Sequence, residues 1–415
     1  MAQSSALSYS NAPISPTIIA KEALMLLSNN MIMGRLVHKE YKNEFKKVGS
    51  SINLRTPVRF SAAEAQFISI NTVTEYKETF TVATQVHVAW AFDTQELTTT
   101  IDEYSKRYIT PAVLALANHV DAALCSLYAG VSNVAGTPGM TPNSYSDLGD
   151  AQTKLDDMGA PTAGRVAVLN PAAHWAMADG LKGTFASKPA NDIHTKGFLG
   201  SVANLDMHMD QNIQRHLTGA FTTSCTPLIN DAGIASGDIF IATDGWLASS
   251  ADINAGDVFT VGNSSTTYVY SVNPVSGDST GVLKQFVVLN DETSDASGEI
   301  VIDLYTTNSA GCCSSGAYKN QTPIHASGST INMLGTESTY YPQNLIFHPN
   351  AFGLVTLPLV MPAGTWGSRV TDKQTALSIR VVKDYDITYD EEVIRLDILY
   401  GVNNLHPDLS CRLTG

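Results

Sequence analysis

Leu377–Leu413 reads LSIRVVKDYDITYDEEVIRLDILYGVNNLHPDLSCRL, and its alternation sets how the rest of the chain is read. Between Val393 and Tyr400, Ile394, Leu396, Ile398 and Tyr400 share one face, while Arg395 and Asp397 share the other. This is the period of a half-buried strand. Gly401 and the Asn403–Asn404 pair are expected to break it, leaving a short tail beyond. Such a strand should pair with elements far upstream, in a domain that begins near Ser51, and the stretch from Ser51 to Asp93 is itself β in character. There Phe80, Val82, Val86, Val88, Trp90 and Phe92 occupy even positions against Thr81, Gln85 and His87. The pattern predicts one long half-polar strand forming a hairpin with Ile52–Phe60. Glu64, Glu75, Lys77 and Glu78 lie in the polar connection. A long exposed hairpin invites aggregation unless it is protected or used for pairing.

Helical signals flank this hairpin. Ser15-Pro16 reads as an N-cap followed by proline in the first turn, with Ile19, Ala23, Leu26 and Leu27 at helical spacing. Met33, Val37, Tyr41, Phe45 and Val48 mark a second periodic run, ringed by Arg35, Lys39, Lys42, Lys46 and Lys47. A basic amphipathic run of this kind suits nucleic acid or a partner protein, or serves as a structural arm. From Thr100 to Ala129 a long helix is expected, with Ile101, Tyr104, Tyr108, Val113, Ala117, Val120, Leu124 and Leu127 as its apolar stripe, kinked or divided at Pro111. Further on, Arg165–Leu169 reads as a buried strand and Pro171–Asp179 as a helix capped by Asn170.

Residues 222–341 change character. Short β runs recur at Asp238–Ala242, Asp257–Val261, Tyr268–Val272, Gln285–Leu289 and Glu299–Tyr305, indicating a small sandwich or barrel. This segment holds twelve Asp/Glu against Lys284 and Lys319, whereas residues 1–60 hold eight Lys/Arg against three Glu. With a net charge of −14 overall, the acidity is concentrated in one segment, and two surfaces meeting different partners are expected. The organisation predicted is one α+β domain interrupted by an acidic all-β insert. No apolar run reaches the roughly 20 residues of a membrane helix, so no membrane partner is expected. No secretory leader is expected from the opening residues, and synthesis in a cytoplasm is expected.

Chemistry is sparse. Five scattered cysteines, Cys125, Cys225, Cys312, Cys313 and Cys411, argue against a disulfide framework. The best metal candidate is Asp206, His208 and Asp210, which alternate on one strand face with His216 nearby; Leu205, Met207 and Met209 make an equally good apolar face. No HExxH, CxxC, GxSxG, Walker loop or GxGxxG is present. Adjacent carboxylates such as Asp156-Asp157 and Glu391-Glu392 diverge in extended chain. No catalytic, cofactor or metal residue is assigned, and no enzyme is expected.

Several blocks, in order, carry a resemblance. Leu36–Tyr41, Lys47–Gly49, Asn53–Phe60, Ala255–Val261, Ser279–Val288, Asn344–Phe352 and the Leu377–Leu413 block together resemble the major capsid (coat) proteins of tailed bacteriophages, of the P-twenty-two coat-protein type. The middle, residues 131–221, matches least. The resemblance implies an α+β HK-ninety-seven-like capsid fold: an N-terminal arm (1–50), the E-loop hairpin and flanking strands (51–93), a spine helix (94–135), the first part of an axial domain (136–221), an inserted acidic β-barrel-like domain (222–341) and a return segment (342–415). It further implies self-assembly into pentamers and hexamers of an icosahedral head around double-stranded DNA, with a scaffolding protein and a portal as partners. On this reading Arg59, Glu64, Glu75 and Lys77 are inter-subunit contacts. The basic arm of Arg35, Lys39, Lys42, Lys46 and Lys47 faces inward, in non-specific contact with DNA or with scaffold. An encapsulin-like nanocompartment is the nearest alternative. A phage tail or adhesion protein would explain the β-rich segment but not the long helix.

Overall fold

The computed structural model describes residues 16–43, 51–60, 64, 66–67, 70, 73–93, 105–181, 199–221, 225–231, 235–262, 268–306, 309–371 and 377–415. Its backbone is organised by the strand read from the sequence, which runs from Glu391 to Asn404. Ser378–Asp386 pairs with its first half, and Phe352–Leu357 pairs with residues 399–404 on the same flank. Thr84–Asp93 covers the other flank over ten pairs, Tyr400↔Thr84 to Glu391↔Asp93. Trp366–Thr371 extends the sheet beyond Ser378–Asp386. Ile394, Leu396, Ile398 and Tyr400 are buried, as their alternation requires.

Two expectations fail on this strand. Gly401 does not end it; the ladder continues through Gly401↔Val355 to Asn404↔Phe352. A Cβ at Gly401 would come within 2.3 Å of the Thr81 carbonyl oxygen, so glycine there allows the upstream chain to cross closely. The expected tail is itself a strand, Ser410–Thr414, buried at every residue. It is antiparallel to Tyr340–Phe347 and parallel to Val134–Ala135. A second sheet continues from it through Tyr340–Phe347, Val166–Leu169, Leu205–Met209 and Ser201–Val202.

The hairpin is present but divided. Ser51–Arg55 pairs with Lys77–Thr81, whereas the continuation, Thr84–Asp93, belongs to the first sheet. The break at Val82–Ala83 follows from burial. Val82 turns inward with Ile52, Phe80 and Val355 into a small core of its own, so one straight strand could not serve both sheets.

Among the described residues, five α-helices pack on these sheets and on one another: α1 (Pro16–Asn30), α2 (Met33–Leu36), α3 (Thr110–Cys125), α4 (Tyr145–Asp157) and α5 (Pro171–Leu181). Helix α1 buries Ile19, Ala20, Ala23, Leu24 and Leu27 against α3 and the first sheet. The second basic run is not a continuous helix. It stops at Leu36, Val37 is extended, and His38 bridges to Gly353 before a short 3-10 turn at Glu40–Asn43. Asp121 on α3 fixes where α2 begins. Its buried carboxylate accepts the N–H groups of Ile32 (2.7 Å) and Gly34 (3.0 Å), satisfying the first turn of α2 and tying it to the long helix. Phe45, Lys46, Lys47 and Val48 lie outside the described residues, as do Ile101 and Tyr104.

Pro111 marks the division of the predicted helix, where a π-helical turn gives way to α3. It sits in the first turn, where its missing N–H costs nothing, and a π-helical turn at Ser105–Ile109 precedes it. The run Arg107–Gly130 is long and apolar enough to cross a membrane by length and composition, contrary to expectation. Here Val113, Leu116, Ala117, Val120 and Leu124 fill the main core.

Asn170 caps α5 as read, its Oδ1 accepting the Ala173 N–H at 2.8 Å. Arg165, read as the first residue of the neighbouring strand, lies just before it with its guanidinium fully buried. Nε and Nη2 donate to the Pro161 and Ala160 carbonyls, Nη1 donates to Gln152, and Nη2 pairs with Asp156 at 2.6 Å. Between Phe221 and Met333 the described residues form short strands and no helix, including Phe240–Asp244, Val258–Val261, Tyr270–Val272, Gln285–Val287 and Ile300–Asp303. They bury a separate core built on Ile241, Trp246, Phe259, Phe286 and Ile302. This segment leaves and rejoins the rest through adjacent strands, Arg215–Leu217 paired with Tyr340–Pro342.

Candidate assembly surfaces

The metal candidate dissolves on folding. Leu205–Met209 is a strand, but Asp206 is exposed, His208 half-buried, and Asp210 lies past its end in the interior. Asp210 Oδ1 accepts the Asn212 N–H at 2.8 Å. Met209 is exposed, so the apolar face is shorter than its sequence pattern. No group of three or more metal-ligating side chains is brought together among the described residues. The described cysteines are all unpaired. Cys312 Sγ lies 3.5 Å from His325 Nε2, and burial pushes its thiol up to about 12.

The hairpin loop is the first surface that stands out. Arg55 and Glu75 form an exposed ion pair at 3.3 Å beside Lys77, which itself sits opposite Arg55 in the ladder. The Arg59 backbone and the Glu64 side chain lie further along, Glu64 exposed. Charge reading found these positions but missed the apolar ones among them. Phe67 is 84% and Ile70 91% exposed, and Phe60 and Val73 are also in solvent. Four large apolar side chains thus stand in solvent within fourteen residues of chain. Their irregular spacing lacks any period, so no sequence pattern singled them out.

The basic arm is less unified than its sequence. Arg35 is exposed in α2, Lys39 is half-buried, and Lys42 falls in the 3-10 turn. Lys46 and Lys47 are outside the described residues. Among the described residues, α2 carries Arg35 alone of these charges.

A third feature was not legible at all. Where the β-rich segment meets the remainder, three buried polar side chains, His216, Asp257 and Arg412, converge on the half-buried Tyr128. His216 Nε2 donates to Asp257 Oδ1 at 2.8 Å, and Nδ1 lies 3.2 Å from Tyr128 Oη. Asp257 Oδ2 accepts the N–H groups of Gly219 (3.0 Å) and Asn254 (2.9 Å). Arg412, from the Ser410–Thr414 strand, donates to the Gly256 carbonyl at 2.8 Å and lies 5.7 Å from the Tyr128 ring centroid. Burial pushes Arg412 down to about 10, and Tyr128 and Asp257 oppose that shift. Burial likewise raises the Tyr128 hydroxyl. The cluster fastens the segment at its neck, with Thr218 Oγ1 adding a bond to the Thr336 carbonyl. Its members lie up to 284 residues apart in the chain, so no local motif could announce it.

A family model described as "P22 coat protein - gene protein 5" matches residues 6–233 and 238–415. No curated protein matches. Among solved structures, one from Mycobacterium phage Che8 is similar at 12% identity, covering 92% of this chain and 90% of that one, with a TM-score of 0.50. A capsid of Ralstonia phage GP4 (9% identity, 90% and 84% covered, TM-score 0.43) and the capsid of cyanophage P-SCSP1u (12%, 88% and 83%, 0.42) are more distant. At such identities the first likeness concerns the fold alone, and the other two carry no argument. The family match spans nearly the whole chain and meets the same α+β architecture: this protein belongs to the P22 coat protein family, the major capsid proteins of bacteriophages.

Proposed function

We propose that this coat protein builds an icosahedral head of pentamers and hexamers around double-stranded DNA, and that its hairpin loop is the contact reaching from one copy to the next. As a virion component it forms a shell of copies of itself. The observation that carries the loop assignment is the exposure of Phe67 and Ile70 on a hairpin whose base is firmly paired. Apolar side chains so placed are covered when a neighbour docks. The adjacent charges, Arg59, Glu64, Glu75 and Lys77, provide a polar rim that fixes register.

In HK-ninety-seven-like terms, α3 is the spine helix and the second sheet with α4 and α5 the axial domain. Residues 222–341 are an inserted β-barrel-like domain, a reading supported by their separate core and the paired strands at their neck. Arg35, Lys39, Lys42, Lys46 and Lys47 face inward, towards scaffold or DNA, and the acidic insert faces outward. A portal occupies one vertex, and synthesis takes place in the bacterial host cytoplasm. Net charge of −14 opposes premature association, and salt screens that repulsion. The family match does not favour the encapsulin-like or tail-protein alternatives.

The test is the double variant F67S/I70S. Its subunits should fold with unchanged unfolding midpoint but fail to form shells by light scattering and electron microscopy. Normal shells from this variant would refute the loop assignment.

A further inference from the structure

The ladder of the hairpin ends abruptly. Its last direct rung among the described residues is at Thr56, whose N–H and Oγ1 both donate to the Tyr76 carbonyl (3.0 and 2.8 Å). Pro57 follows and has no N–H to give. One step further a side chain from the β-rich segment takes over. Tyr318 Oη accepts the Arg59 N–H (3.4 Å) from one arm and donates to the Thr74 carbonyl (2.7 Å) of the other. Its ring meets Tyr76 edge-on, with centroids 4.9 Å apart at 88°. A direct rung would place donor and acceptor about 2.9 Å apart. With a phenol oxygen between them, the two arms each bond to Tyr318 rather than to each other.

The loop that presents Tyr318 is built to hold it. Asn320 closes it by accepting the Cys313 N–H on Oδ1 (3.0 Å) and donating from Nδ2 to the Gly311 carbonyl (2.8 Å). Lys284 Nζ donates to the Asn320 carbonyl (2.9 Å), and Lys319 Nζ to the Gly277 carbonyl (3.0 Å). A half-buried tyrosine on a loop pinned at both ends is a preorganised donor and acceptor.

We propose that Tyr318 is a positioning residue for assembly: a wedge from the β-rich segment that splays the hairpin arms beyond Tyr76 and fixes the apolar loop residues in their docking arrangement. Its geometric part stands alone; its consequence for assembly rests on the docking role of Phe67 and Ile70.

The experiment uses full-length Y318F, which keeps the ring and removes the hydroxyl, and Y76L, which removes the ring contact from the hairpin side. Amide hydrogen exchange on unassembled subunits should rise about fivefold or more at Arg59 in Y318F, the loss of one hydrogen bond. Exchange at Ile241 and Ile302 should not change, which excludes unfolding of the β-rich segment. Both variants should assemble several-fold more slowly. Unchanged exchange at Arg59 overturns the wedge, and raised exchange with wild-type assembly rates overturns its positioning role. F67S/I70S separates the two ideas, because that variant tests docking while leaving Arg59 exchange untouched.

Discussion

Asp397 offers the sharpest test of how the organising strand is held. Its alternation places it on the polar side, yet it is 1% exposed. Arg380 grips Oδ2 through Nη2 (2.6 Å) and Nε (3.1 Å), while Arg395 Nε (2.7 Å) and Gln85 Nε2 (3.3 Å) bond Oδ1. The carboxylate therefore joins three neighbouring strands. Burial alone would raise its pKa, but hydrogen bonds from Arg380 and Arg395 outweigh it and hold the group below its ordinary value. D397A leaves the Arg380 guanidinium, with its side chain 13% exposed, facing no counter-charge. Breaking a buried pair from one side costs about 3–5 kcal/mol, a large part of the 5–15 kcal/mol that holds a typical domain. Urea unfolding followed by circular dichroism should show that loss at pH 7. The double variant D397A/R380M should recover at least about 1.5 kcal/mol of it, because the stranded charge is gone. The sign with pH is fixed by the lowered pKa. Stability from Asp397 is present above the usual carboxylate range and lost as pH falls below it, so D397N and wild type should converge in acid. A D397A loss under about 1 kcal/mol, or no coupling to Arg380, would refute the reasoning.

Two other expectations follow from burial. Leu413 is fully buried in the strand that looked like a tail, and L413A should cost about 3 kcal/mol in urea unfolding, against near-neutrality for a disordered end. The two halves of the molecule should respond oppositely to acid. Burial, with Lys284 nearby, pushes His325 down to about 4, so its contribution to the β-rich segment is full above about pH 6.5 and lost as pH falls towards 4, roughly 3 kcal/mol in all. Burial raises Asp121 to about 6 against the Ile32 and Gly34 N–H bonds, so its contribution is full below its ordinary pKa and lost as pH rises through 6. Tryptophan fluorescence of Trp246 and hydrogen exchange in α1 and α2, followed from pH 8 to pH 4, should show the first region loosening and the second tightening. Removal of these slopes by H325F and D121N, respectively, checks the assignment.

Periodicity and composition are local properties, and they determined a good deal. The alternation from Ile394 to Tyr400, the apolar stripe of α3, the Asn170 cap and the switch to short strands after residue 222 all reflect how neighbouring residues choose between two burial faces. The order of the matched blocks was enough to suggest a coat protein. Tertiary structure decided what depends on partners distant in sequence. Whether Gly401 ends a strand depended on the Thr81 carbonyl approaching it, and whether Ser410–Thr414 is a tail depended on Tyr340–Phe347 and Val134–Ala135 closing on both sides. Asp397, Asp121, Asp257 and Arg412 carry no local signal of burial, because polar residues are usually exposed. They are buried because the fold brings each one hydrogen-bonding partners, several from distant segments, and a sequence read along one dimension does not display that juxtaposition.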